Sequence, residues 1–83
     1  MSDQTLVKQL FYRSTHRGCK ETDFLIGEFA KVKLQEMPES DLSLFCEFLE
    51  EDDLEIYDWI LQKAQAPEEY SGFLAAIRNF HRI

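Results

Sequence analysis

Eighty-three residues, of which 45% are apolar and 13% aromatic with only three glycines and two prolines, describe one globular domain over 1–83 and exclude a disordered chain. A formal charge of −7 argues against nucleic acid as a partner, because a binder needs cations to displace counterions from phosphate. No apolar run approaches the roughly 20 residues of a membrane span, so no membrane is expected either.

Five amphipathic segments follow in order, and none alternates with period two. The first spans about Gln4 to His16, with Leu6, Val7, Leu10 and Phe11 on one stripe and Asp3 as its N-cap. Arg17-Gly18 breaks it, glycine being the expected residue where a helix ends in the left-handed region. The second runs from Lys20 to about Gln35, with Phe24, Leu25, Phe29 and Val32 facing inward and Glu21 and Asp23 favoured by the dipole in its first turn.

Met37-Pro38 punctuates, and Pro38 suits the first position of a third helix to about Glu50 that buries Leu42, Phe45, Cys46 and Leu49. Asp52 caps a fourth, boxed by Glu55, whose inward stripe reads Leu54, Tyr57, Ile60 and Leu61 with Ile56 and Trp59 flanking. Ala66-Pro67 opens the fifth, carrying Tyr70, Phe73, Leu74, Ile77 and Phe80. The expected fold is an all-α, compact five-helix bundle with connections of two to four residues.

Charge is unevenly spread along this bundle. Residues 1–33 carry six bases against four acids, residues 34–62 carry ten acids and no base, and residues 63–83 carry three bases and two acids. A basic corner and an acidic face of this kind orient a protein partner. Cys19 and Cys46 show no metal-ligand or CxxC spacing and read as reduced thiols. His16 and His81 lack ligand partners at metal spacing, and Ser14, Ser40 and Ser71 lack a nucleophile motif. The sequence therefore carries no catalytic site, no metal site and no phosphate-cradling loop, and the chain is expected to act by binding rather than as an enzyme.

The informative constellation runs from Arg13 to Glu21. It gathers Arg13, His16, Arg17 and Lys20 beside Gly18 at one helix–helix corner. Part of this is structural, since Gly18 ends a helix and Arg13 and Arg17 complement its C-terminal dipole. Structure alone does not require so many cations, whereas a glycine flanked by arginine lets a foreign backbone approach while a guanidinium reaches it. The acidic run Glu50-Glu51-Asp52-Asp53 reads first as caps and solvated surface and second as a docking face, with Trp59 partly exposed beside it.

Arg17-Gly18-Cys19-Lys20-Glu21 resembles the RGxxE signature of the succinate dehydrogenase assembly factors, small proteins that promote covalent attachment of FAD to the flavoprotein subunit. Tyr12 to Asp23 as a whole, and Leu25-Ile26-Gly27-Glu28-Phe29-Ala30 after it, are similar to the branch shared by mitochondria and related bacteria. Phe48-Leu49-Glu50-Glu51-Asp52-Asp53 and Tyr57-Asp58-Trp59-Ile60 resemble the family's acidic–aromatic block. The similarity spans about Leu6 to Leu61, and Thr22 departs from it by standing where an apolar residue is usual.

The resemblance implies a monomeric five-helix factor whose partner is the flavoprotein subunit of succinate dehydrogenase, with that of fumarate reductase as a second candidate. FAD would be attached to a histidine of the partner, and no cofactor would be held tightly by this chain. The residues expected to meet the partner are Arg13, His16, Arg17, Gly18, Cys19, Lys20, Glu21, Asp52, Asp53 and Trp59. The first ten residues lack the apolar core of a secretory signal and the Arg-rich composition of a transit peptide, so a cytoplasmic, bacterial-type member is expected. Two alternatives compete. An acyl-carrier-like protein needs Asp-Ser-Leu, whereas Glu39-Ser40-Asp41-Leu42 has the wrong order. An acidic regulatory or toxin-neutralising module needs only the acidic block.

Overall fold

The computed structural model describes residues 4–83, and the expected Asp3 cap lies outside them. Five α-helices occur in this range: α1 Gln4–Thr15, α2 Lys20–Lys33, α3 Glu39–Phe48, α4 Asp53–Ile60 and α5 Ser71–His81. Short 3-10 turns at Leu34–Glu36 and Glu68–Tyr70 extend α2 and precede α5, and no strand occurs among the described residues. No helix here is long and apolar enough to cross a membrane.

The helix ends follow local chemistry. Gly18 takes φ +92°, the left-handed region that only glycine enters freely. Pro38, with ψ 165°, is the extended residue before α3 rather than its first helical one. Asp52 accepts the Leu54 and Glu55 amides at 3.0 and 3.4 Å and so satisfies two of the unpaired donors that open α4. The far end of α4 closes without glycine. Gln62 adopts φ 61° while its own N–H and that of Lys63 return to the Trp59 and Asp58 carbonyls at 3.2 and 2.8 Å. Arg82 closes α5 in the same way. The chain then spans residues 61–67 before the turn at Pro67, a longer connection than expected, and α5 starts at Ser71 instead of Pro67.

Two helices are rotated from the expected phase. In α2 the buried side is Thr22, Ile26, Gly27, Phe29 and Ala30, while Phe24 and Val32 are exposed and Leu25 is half-buried. The cause is the close approach of α1. A Cβ on Gly27 would stand 2.8 Å from Thr15 Cγ2, so only small residues fit along this seam. In α4 the buried set is Ile56, Trp59 and Ile60, whereas Leu54 is 69% exposed and Tyr57 and Leu61 are half-buried. Cys46, expected in the core, is also half-buried, and Phe48 takes the inner position on α3.

One apolar core joins all five helices. Its backbone is a chain of rings in contact: Phe80 on Phe29, Phe29 on Phe45, Phe45 on Phe48, Phe48 on Tyr70 and Tyr70 on Trp59, with centroids 5.2 to 6.4 Å apart. Edge-on and tilted arrangements dominate, as the ring quadrupole favours. Packing α1 and α2 on this core also brings the α1–α2 corner against the α3–α4 turn.

Candidate functional site

The corner at residues 16–19 is held from several directions. Arg17 donates its backbone N–H to Asp23 Oδ1 at 2.8 Å, and Asp23 N–H returns to the Cys19 carbonyl at 2.7 Å. The Arg17 side chain turns inward. Its Nε donates to Asp53, and its two terminal nitrogens donate to the Leu49 and Glu51 carbonyls, each at 2.7 Å. Those carbonyls belong to the chain leaving α3, where no intrahelical donor remains. One guanidinium thus serves a helix C-terminus and a carboxylate together, a planar fork that a lysine cannot reproduce.

That arrangement revises the expected role of Arg17. Its side chain is only 9% exposed and engaged within the chain, so it is not free to reach a partner. Asp53 is occupied with it. Asp52 is exposed but caps α4. Trp59, expected to be partly exposed, is 5% exposed and packs on Tyr70, so it belongs to the core. Arg13 is half-buried, paired with Glu50 and 3.2 Å from Cys46 Sγ.

What the corner does present is narrower. Gly18 is exposed, and a Cβ built on it meets nothing within 4 Å. Lys20 and Glu21 are exposed in the first turn of α2, with Cys19 half-buried between them and Gly18. The Cys19 thiol points to Glu21 Oε1 at 3.7 Å, a weak contact that leaves the carboxylate accessible. Thr22 is fully buried with its hydroxyl on Cys19 Sγ at 3.3 Å and the Asp53 carbonyl at 3.5 Å. The hydroxyl therefore has partners and adds a tie between α2 and α4.

His16 is exposed, and its ring stacks on Tyr12 at 3.9 Å and 10°. Its Nδ1 lies 2.9 Å from the Tyr12 carbonyl, in the last turn of α1. Tyr12, 62% exposed, was not among the expected site residues. Its i,i+4 spacing to His16 on one helix face was the available signal. The Tyr12–His16 pair lines a shallow cleft with Arg13, Arg17, Leu49 and Asp53.

Known proteins give this geometry a family. The pattern of the family described as "Flavinator of succinate dehydrogenase" matches residues 8–81. A Dictyostelium discoideum protein described as succinate dehydrogenase assembly factor 2, mitochondrial, is 40% identical over 78 residues, covering 94% of this chain and 55% of its own length. The FAD assembly factor SdhE of Acetobacter pasteurianus is 37% identical over 62 residues, covering 75% of this chain and 57% of its own. A Schizosaccharomyces pombe assembly factor 2 is 35% identical over 67 residues, with 81% and 48% covered. The chain spans about half the length of these curated relatives. No solved structure matches it. The matched span takes in the corner, the α3–α4 turn and the core that holds them together, and the chain belongs to the family of succinate dehydrogenase flavinators.

Proposed function

We propose that this chain binds the flavoprotein subunit of succinate dehydrogenase and promotes covalent attachment of FAD to it, docking through the exposed corner at Gly18, Lys20 and Glu21. The observation that carries the reading is Gly18. It combines φ +92° with open space where a side chain would point, within the span that the family pattern matches. A backbone left bare in this way accepts close approach by another chain, and Lys20 and Glu21 offer one charge of each sign beside it. The family and the names of the relatives supply the identity of the partner.

In this reading FAD is the partner's group and the chain is a binding factor, not a catalyst. When bound to the partner, FAD would supply the flavin that is attached there, and ordered dipoles of the partner would favour that attachment. Binding by the factor favours the partner conformation in which those dipoles are ordered. The chain acts as a monomer, in the compartment where the flavoprotein matures, and the fumarate reductase subunit is a second substrate for the same assay.

The test is flavin fluorescence of the denatured partner subunit after incubation with FAD and the factor. Covalent flavin rises with wild type, falls to the no-factor level with Gly18→Arg, and is largely kept by Gly18→Ala, which adds strain but little bulk. Circular dichroism shows the variants folded. Full labelling by folded Gly18→Arg removes the corner from the site, and no gain with wild type removes the assembly reading.

A further inference from the structure

Arg17 and Asp53 lie in the span that the family pattern matches, yet their side chains are engaged with each other inside the fold. We infer that they are positioning residues that clamp the α1–α2 corner onto the α3–α4 turn, fixing Gly18 in its exposed left-handed conformation without touching the partner. This rests on the reading of that corner as the docking surface.

The Arg17 side chain spends Nε and both terminal nitrogens on three acceptors, Asp53, the Leu49 carbonyl and the Glu51 carbonyl. Swinging out to a partner would orphan two carbonyls past the end of α3 and leave Asp53, itself only 25% exposed, without its cation. The backbone N–H of the same residue is held by Asp23. With Arg17 fixed by both backbone and side chain, the chain must reverse at the next residue, and Gly18 supplies the positive φ. The acidic run thus contributes an inward anchor at Asp53, where its sequence suggested a docking face.

The functional consequence is a population effect. Binding strength falls in proportion to the fraction of molecules whose corner is already in the docking conformation. Losing the clamp frees residues 16–19 to sample other arrangements while the helices stay folded on their core. The factor then still works at saturation but needs a higher concentration to get there.

The experiment compares the full chain with Arg17→Lys, Asp53→Ala and the double variant, using two readouts. On the free protein, amide hydrogen exchange and the nitrogen-15 spectrum report the clamp. Wild type shows a slowly exchanging Arg17 amide and a protected Arg17 Nε–H resonance; both single variants speed exchange at the corner by about tenfold or more. In the flavin-attachment assay, each single variant raises the half-saturating factor concentration about tenfold at unchanged plateau, and the double variant is no worse than the weaker single. Arg17→Lys fails to rescue although it keeps the charge.

If Arg17→Lys loses helical content, Asp53→Ala alone carries the test. A wild-type half-saturating concentration in Asp53→Ala overturns the clamp, and so do losses that multiply in the double variant, since both make Arg17 a direct contact. A wild-type factor that attaches no flavin overturns the docking reading instead. In that case the exchange data on the free chain still decide whether Arg17 and Asp53 hold the corner.

Discussion

Tyr70 shows how one buried polar group shapes the energetics of the core. Its ring is 3% exposed between Phe48 and Trp59, and its hydroxyl donates to Glu51 Oε2 at 3.1 Å. Burial first, then the Glu51 carboxylate, pushes its pKa from the ordinary 10.0 up to about 12. The unfolded chain therefore releases this proton before the folded one does. The stabilisation is complete below pH 10 and is lost as the pH rises from there through about 12. Tyr70→Phe is expected to cost about 1 kcal/mol at neutral pH, the net worth of a hydrogen bond whose acceptor stays hydrated. Urea titrations should show that gap closing as the pH rises through the same range. A constant gap would mean that Tyr70 ionises alike in both states. This pair is not legible in the sequence, because Tyr70 and Glu51 are joined only by the way α5 and its leading turn fold back on the end of α3.

Between elements, the α1–α2 seam sets where the Gly18 corner lies. Gly27 is buried against Thr15, whose hydroxyl bonds the Phe11 and Tyr12 carbonyls at 3.1 and 3.2 Å. Those bonds hold the Thr15 methyl where it is, so a side chain on Gly27 cannot simply push it aside. Gly27→Ala would gain about 1 kcal/mol in helix propensity. Against that, a Cβ only 2.8 Å from Thr15 Cγ2 overpacks the seam, which costs typically about 1–3 kcal/mol. The net expectation is a lower midpoint of thermal unfolding, relieved by the second change Thr15→Ser, which removes the methyl and keeps the hydroxyl. A Gly27→Ala chain as stable as wild type would show that the seam can open. This seam also sets the phase of α2. Periodicity weights Phe24 and Val32 heavily and glycine, alanine and threonine lightly, but it is the small residues that the close crossing selects. The helix ends near Gly18, Pro38 and Asp52 were legible because those residues act locally, although Pro67 lies before α5 and does not open it. Gln62 and Arg82 were not, since they hold left-handed conformations by their closing hydrogen bonds rather than by residue type.

At the scale of the whole molecule, helix number and order are written in the sequence, while the rotation of each helix is settled by what it packs on. In α4 two apolar stripes compete within eight residues, and the one holding Ile56, Trp59 and Ile60 wins because Trp59 reaches Tyr70. The candidate site was legible in the same partial way. The turn at Gly18 followed from local residues, whereas the inward turn of Arg17 depends on the Leu49 and Glu51 carbonyls, just past α3 and some thirty residues away. A pair of phenylalanines tests this rotation. Phe48 is fully buried among Phe45, Tyr70 and Phe73; Phe24 is 60% exposed and lies beside the His81 ring at 5.4 Å. Truncating a buried phenylalanine to alanine costs about 3–5 kcal/mol, and an exposed one changes stability by about 0.5 kcal/mol or less. A domain of this size has about 4–12 kcal/mol in total, from about 0.05–0.15 kcal/mol per residue. Phe48→Ala is therefore expected to leave a large unfolded population at 37 °C, while Phe24→Ala unfolds in urea at nearly the wild-type midpoint. The reverse order would return α2 to the phase that periodicity alone suggests, with Phe24 inside. It would also rotate Thr22 and Gly27 off the surfaces that hold the corner in place.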